Sequence, residues 1–404
     1  MNIFSKAFCR TFQFVFRLAM PALPYREPER FASIRELAQP LKARNIRSVL
    51  LVTDEFLKRS GATEELEHML RMAGIRCAVY DQVRPNPTVQ NVEAALKLYH
   101  EKNCQGLIAF GGGSAIDCAK AVGARVAYPG RSLNQMKGLL RVWRKLPPLV
   151  AIPTTAGTGS EVTVTAVITD TESHHKYTMN NFTFIPHYAV HDPAVTYTLP
   201  PHLTATTGMD ALTHAVEAYI GRSTTKETRA LAKETVRLVF ENIETAYKNG
   251  NDHAARANML RASYAAGVAF SKSYVGYIHA LAHSLGGQYN IPHGLANAVL
   301  MPHVLEGYGA CVHQKLHELA VAAGIAAKED TPMAGAVKFI RSIRELNAAM
   351  GIPEKLSGIQ RKDFPSMAKH AHQEANPLYP VPRLMNAGEL EQFYYHITDW
   401  SETT

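Results

Sequence analysis

Apolar and polar positions fall into two textures along this chain. From residue 48 to about 195, strand-like runs take turns with helix-like runs. "SVLLVT", "RCAVYDQV", "GLIAF" and "PLVAIPTTA" are short, nearly continuous apolar stretches that predict buried strands. Between them, "TEELEHMLRMAG", ending at Gly74, "TVQNVEAALKLYHEKN" and "AIDCAKAVGARVA" place apolar residues at helical spacing. Such alternation predicts a parallel sheet covered by helices. A basic, acid-free stretch, "RSLNQMKGLLRVWRKL" (131–146), interrupts it and reads as solvated surface. After "DPAVTYTLPP" strand-like runs nearly vanish, and from Leu203 the period is helical to the end. Leu199-Pro200-Pro201 therefore marks a boundary between an α/β part, residues 26–199, and an all-helical part, residues 200–404.

Residues 1–25 form a third region. Projected as a helix, Lys6, Arg10, Gln13 and Arg17 share a narrow arc, with Phe4, Phe8, Phe12, Val15 and Ala19 opposite. Charges interrupt the apolar positions, so this is neither a transmembrane span nor the apolar core of a signal peptide. It is expected to dock on the body of the protein or on a second subunit, or to lie peripherally at a membrane through residues 1–20.

A length of 404 residues suffices for two substantial cores. The net charge is +8, but residues 1–48 alone hold nine Lys/Arg against three Glu, so the remainder is nearly balanced. That argues against a nucleic-acid surface spread over the fold. Five scattered cysteines without a CxxC pair suggest free thiols and a cytoplasmic protein.

Three stretches of the α/β part carry candidate chemistry. "AFGGGSAIDCAK" (109–120) is a strand, a glycine turn and a helix start. Gly111, Gly112 and Gly113 permit close approach to a phosphate, the helix N-terminus favours an anion, and Ser114 either caps the helix or bonds a phosphate oxygen. The spacing is not the GxGxxG of the dinucleotide fingerprint, and a tight turn alone is the plain alternative. "AIPTTAGTGSEVT" (151–163) follows another strand, with Thr154, Thr155 and Thr158 as donors to ribose or phosphate, unless it is only a polar loop. Asp54, ending the first strand, either binds an adenosine ribose and repels a 2′-phosphate or simply caps the next helix.

In the helical part, "GMDALTHAVEAY" sets Asp210 and His214 at i, i+4. "IHALAHSLGGQYNIPHG" supplies His279 and His283 at the same spacing, then His293 beyond a glycine break. One carboxylate and two or three imidazoles make a plausible divalent-metal site with room for substrate. Spacing alone would pair His279 with His283.

Taken together, "GGGSAIDCAK", "PTTAGTGSEVT", "DALTHAVEAY" and "HALAHSLGGQYNIPHGLANAVLMPH" resemble the iron-containing (group III) alcohol dehydrogenases, from about residue 45 to 395. The resemblance implies a Rossmann-like α/β domain that binds dinucleotide and a helical domain that binds metal and carries catalysis. It implies Asp210, His214, His279 and His293 as the metal ligands, with His283 not a ligand but standing between metal and nicotinamide. It implies a cofactor site of Asp54, Asn86 of "PNPT", Gly111 to Ser114, Asp117, Thr154, Thr155, Thr158 and Lys176. The activity implied is hydride transfer between a primary alcohol or aldehyde and NAD(H), rather than NADP(H), with the substrate oxygen on Fe²⁺ or, as substitute, Zn²⁺. A hydroxyacid–oxoacid transhydrogenase or polyol dehydrogenase on the same scaffold is the alternative, and a homodimer the expected assembly. Leu281 stands where many members have Met, and Tyr274 and Tyr277 are either pocket residues or helix packing.

Overall fold

The computed structural model describes residues 1–19, 23–170 and 175–399. Residues 20–22 of the expected N-terminal region and 400–404 of the expected helical part lie outside the described residues. The chain opens with α1 (Ile3–Ala19), followed by β1 (Glu29–Phe31), α2 (Ala38–Ala43), β2 (Ser48–Val52), α3 (Glu55–Arg59) and α4 (Glu64–Met72). Next come β3 (Arg76–Tyr80), α5 (Val89–Glu101), β4 (Gly106–Gly111), α6 (Gly113–Ala127), β5 (Gly138–Leu139) and β6 (Leu149–Pro153). The strands end with β7 (Thr165–Asp170), β8 (His175–Asn180) and β9 (Tyr188–Val190). Helices then take over: α7 (Pro201–Ile220), α8 (Lys226–Lys248), α9 (His253–Ser273), α10 (Tyr277–Tyr289) and α11 (His293–Tyr308). The last are α12 (His313–Ala322), α13 (Pro332–Ala349), α14 (Phe364–Ala375) and α15 (Ala387–Ile397). Two compact units result, Pro24–Leu199 and the pair of segments Met1–Leu23 with Pro200–Thr404.

The first unit is built on a six-stranded sheet in the order β1-β9-β6-β4-β2-β3, every pairing parallel. The apolar runs divide by period two between its faces. Leu50 and Val52 of β2, Leu107 and Ala109 of β4 and Ala151 of β6 enter the core under α5 and α6. Val49 and Leu51, Ile108 and Phe110, and Val150 and Ile152 enter the opposite core, with Leu37, Leu66 and Leu70. Both faces are covered, so the strands have no polar side, which is why they read as continuous apolar runs.

Chain order reverses between β2 and β4, because β3 lies on one side of β2 and β4, β6 and β9 on the other. In sheets of this kind ligands usually sit at such a switch point, beyond the strand C-termini. Asp54 follows β2 there, and the glycine turn joins β4 to α6.

One feature departs from the strand–helix alternation. β7 and β8 form an antiparallel hairpin that joins β5 in a separate three-stranded sheet. β7 buries every second residue only, through Ala166 and Ile168, so its pattern is weaker than that of the doubly covered strands. The basic stretch 131–146 supplies β5 and leaves Leu139, Leu140 and Trp143 exposed.

In the helical unit two glycines set how closely helices approach. A Cβ on Gly208 of α7 would meet Ile243 of α8 at 2.5 Å and Met259 of α9 at 2.9 Å. A Cβ on Gly294 would lie 2.2 Å from the Thr206 carbonyl oxygen, so the first turn of α11 sits against the α7 backbone. That contact brings His293 alongside Asp210.

Candidate metal centre and dinucleotide edge

Three helices of the helical unit converge on one buried carboxylate. Asp210 and His214 project from one face of α7, His279 from the first turn of α10, and His293 from the start of α11. His293 Nε2 is 3.5 Å and His279 Nε2 3.7 Å from Asp210 Oδ1, and His214 Nδ1 is 4.0 Å from Oδ2. The donor atoms of Asp210, His279 and His293 all lie within 4.8 Å of one another. His214 stands slightly apart, its ring stacked on Phe270 at 4.1 Å and on His279 at 4.3 Å.

These separations are too long for hydrogen bonds, which run to about 3.2 Å. They suit a shared cation: ligand bonds of about 2.1 Å arranged tetrahedrally place donor atoms about 3.4 Å apart. His279 Nε2 is buried without a hydrogen-bond partner, a condition that costs about 1–3 kcal/mol unless another ligand meets it. The residues therefore fit a divalent metal, and the mixed carboxylate–imidazole set suits iron or zinc. Burial works to raise the Asp210 pKa, but the imidazoles of His214, His293 and His279 prevail and hold it far below the usual carboxylate range. Burial works likewise to lower that of His279, and Asp210 and Glu217 lift it to about 9.

Glu217 escaped the sequence reading. Its carboxylate is buried, accepts the Gly276 and Ile278 backbone N–H groups at 2.7 Å each, and bonds His279 Nδ1 at 2.6 Å. Holding Nδ1–H fixes the tautomer and aims the Nε2 lone pair toward Asp210. A Cβ on Gly276 would come within 2.7 Å of Glu217 Oε1, so a larger residue before α10 would push the carboxylate off its bonds. The signal was present, since Glu217 stands seven residues after Asp210 on the same helix face. Asn297 was missed as well; its Nδ2 donates to Asp210 Oδ1 at 2.7 Å.

His283 is one turn beyond His279, its ring centroid 5.1 Å from that of His293. Its Nδ1 bonds Glu374 Oε1 at 2.6 Å, and the Tyr379 hydroxyl donates to the same oxygen at 2.8 Å. Burial works to raise the Glu374 pKa, but His283 and Tyr379 keep it lowered. Tyr277 is fully buried, its hydroxyl bonded to Asn376 and Met385, so it packs rather than lining a pocket.

On the α/β unit the expected cofactor residues gather around the glycine turn. Gly111 has a φ of +155°, and a Cβ there would meet Ala115 at 2.8 Å and come within 3.9 Å of Asp54 Oδ2. A Cβ on Gly112 would meet Thr155 at 3.2 Å, and one on Gly113 would meet Thr158 at 2.9 Å. The glycine turn and the threonine loop are thus in direct contact, joined also by the Thr154 N–H donated to the Gly111 carbonyl. Ser114 Oγ accepts the backbone N–H of Asn86, whose φ is +58°. Asp54 caps α3 by accepting the Leu57 N–H through Oδ1, while Oδ2 lies toward Gly111.

Asp117 has both oxygens engaged, one by the Ser160 hydroxyl at 2.6 Å and the other by the Val167 N–H at 3.0 Å. Burial keeps its pKa raised despite the nearby Lys120 and Lys176. The fully buried Lys120, not singled out from the sequence, donates to Ser160, Thr163 and Thr165 at 2.7–3.2 Å. It clamps the threonine loop from beneath, and burial pushes its pKa down to about 8 against the pull of Asp117 and Glu161. Asp117 and Lys120, three residues apart on α6, were again a readable pair.

A cluster that fits a divalent metal in the helical unit and a glycine turn at the end of a parallel strand are the features expected of a metal-dependent dinucleotide oxidoreductase. Residues 30–193 match the iron-containing alcohol dehydrogenase family, and residues 204–398 match the C-terminal domain of the Fe-containing alcohol dehydrogenase family. The chain belongs to the iron-containing alcohol dehydrogenases. Relatives include the 1,3-propanediol dehydrogenase of Klebsiella pneumoniae, 38% identical over 94% of this chain and 98% of that protein. The NAD-dependent methanol dehydrogenase of Bacillus methanolicus is 36% identical over 85% of this chain and 90% of that one. Among solved structures, a 1,3-propanediol oxidoreductase superposes with a TM-score of 0.88 at 37% identity, covering 92% of this chain and 98% of that one. The protein is thus an oxidoreductase acting on alcohols, in a family that works with NAD(H) and iron.

Proposed function

We propose that this protein interconverts primary alcohols and their aldehydes with NAD(H), using Fe²⁺, or Zn²⁺ in its place, held by Asp210, His214, His279 and His293. The observation that carries this is the buried Asp210 carboxylate faced by three imidazoles at 3.5–4.0 Å. When bound, the cation supplies Lewis acidity toward the substrate oxygen, and the nicotinamide accepts or returns the hydride.

The chain's own residues do the rest. Glu217 orients His279, and Asn297 holds the Asp210 carboxylate. His283, with Nδ1 bonded to Glu374, takes up the proton released as alcohol becomes aldehyde and returns it in the reverse direction. Glu374 balances the charge that this places on the imidazole. The turn Gly111–Ser114 and the N-terminus of α6 receive the pyrophosphate. Thr154, Thr155, Thr158 and Asn86 border that cradle, Asp54 Oδ2 accepts from the adenosine ribose, Asp117 and Lys120 position the threonine loop, and Lys176 serves the cofactor site as the family resemblance implies. A reducing cytoplasm suits the free thiols, and we propose a homodimer as the assembly.

The test is NADH oxidation with a panel of aldehydes by protein purified anaerobically, its metal quantified. Turnover should track bound iron or zinc, and His283→Asn should slow turnover while keeping the metal. Metal-independent turnover would refute the centre's role; undiminished turnover in His283→Asn would refute the relay.

A further inference from the structure

α1 is attached with the opposite orientation to an ordinary surface helix, which buries its apolar stripe. Here the polar side faces protein. Gln13 is buried and donates to the carbonyls of Pro377 and Tyr379 at 3.2 and 2.7 Å. Arg10 donates to the carbonyls of Val381 and Pro382 at 2.8 and 3.0 Å, and Arg17 to that of Arg222 at 3.3 Å. The buried Cys9, and Phe16 edge-on to Tyr274 at 5.3 Å, complete the contact. Turned outward are Ile3, Phe4, Phe8, Phe14, Val15 and Leu18, with Phe4 83% and Leu18 65% exposed. At about 100° per residue these positions fall within one continuous arc of about 140°. No charged residue interrupts that arc.

Charge borders this face on one side. The charged residues of α1 are Lys6, Arg10 and Arg17, all cationic. A cavity of about 360 Å³ beside the helix is lined by Arg10, Arg17 and Arg222 together with Gln13 and Phe14. Among the described residues, none of these four cations forms an ion pair with a carboxylate. No helix of the described chain is long and apolar enough to cross a membrane.

We propose that α1 is a docking surface for an anionic lipid membrane: its phenylalanine face enters the acyl boundary, and Lys6, Arg17 and Arg222 meet the headgroup phosphates. Apolar burial and headgroup attraction are the two signals that such binding needs. A second copy is the weaker occupant. Symmetric pairing through α1 would set Lys6, Arg10, Arg17 and Arg222 near the same cations of the other copy, with no acidic residue on the helix to answer them. The proposal is independent of the reaction, because no metal or dinucleotide residue lies on α1.

Cosedimentation of the full-length, metal-loaded enzyme with vesicles tests it. Binding should be about tenfold or more tighter to vesicles of phosphatidylcholine with phosphatidylglycerol than to phosphatidylcholine alone, and should weaken with salt. Phe4→Ser/Phe8→Ser/Phe14→Ser should lose about tenfold or more of that binding, with unchanged circular dichroism and unchanged turnover of a soluble alcohol. Lys6→Glu should lower the preference for the anionic vesicles alone. Equal binding to both vesicles, or undiminished binding by the triple variant, would overturn the proposal. So would a wild type that ignores vesicles and whose native mass halves in the triple variant, which would make the face a seam between copies.

Discussion

The candidate metal centre and the candidate dinucleotide edge are preorganised by different means. At the metal centre, side chains from α7, α10 and α11 converge on one carboxylate, and Glu217 and Asn297 hold the converging groups from behind. At the dinucleotide edge the working surface is largely backbone: a glycine turn pressed against a threonine loop, with Lys120 and Asp117 beneath. A cation needs a few lone pairs at fixed separations, which long-range side-chain contacts supply. A pyrophosphate needs a row of N–H groups and no Cβ in the way, which a strand-to-helix turn supplies locally.

The sharpest way to break this contrast is at the metal centre's outer partner. Glu217→Gln should lower metal affinity by about 10- to 100-fold, since the amide no longer holds His279 Nδ1–H as a carboxylate does. Dinucleotide binding should stay intact, and competition with a chelator, read beside NADH fluorescence, measures both. Next comes the clamp under the threonine loop. The Lys120 pKa is near 8 in the fold against an ordinary 10.5. Between those values the unfolded chain binds more protons, so stability should rise with pH across that window, by up to about 3 kcal/mol. Lys120→Met should remove the rise, as urea midpoints at both ends of the window would show.

A third, smaller effect belongs to the turn itself. In Gly113→Ala the new methyl must displace Thr158, an overpacking of about 1–3 kcal/mol that should raise the KM for NADH roughly tenfold. Metal content should not change, which elemental analysis of the purified variant would confirm or deny. Smallest is the contribution of Asp54. Asp54→Ser keeps a cap for α3 but removes the charge, so the ratio of NADPH to NADH efficiency should rise several-fold with little loss of stability. Steady-state kinetics with both cofactors decide it.

What could be read in the sequence follows the same division. The glycine turn, the threonine loop and the Asp210–His214 pair were legible because each is a local pattern on one element. Glu217 was not picked out, although it continues the Asp210 face, because a glutamate on a helix is ordinarily a solvated residue. Glu374 is 91 residues from His283, and nothing in either neighbourhood announces the other. For Asp54 the sequence left capping and ribose binding as rivals. A carboxylate has two oxygens: Oδ1 makes the cap while Oδ2 faces the glycine turn. The β7–β8 hairpin went unread because a strand covered on one side carries half the apolar signal of those beside it. As for α1, the arcs were visible in projection, but which arc faces the protein depends on carbonyls more than 360 residues away.

The central claim is that one divalent cation sits among Asp210, His214, His279 and His293. Diffraction data collected on either side of the iron absorption edge, from crystals of anaerobically prepared protein, test it most directly. The account predicts a single anomalous peak about 2.1 Å from Asp210 Oδ and the facing imidazole nitrogens. A peak centred on other residues, or none at this site in protein that oxidises NADH with aldehyde, would contradict it.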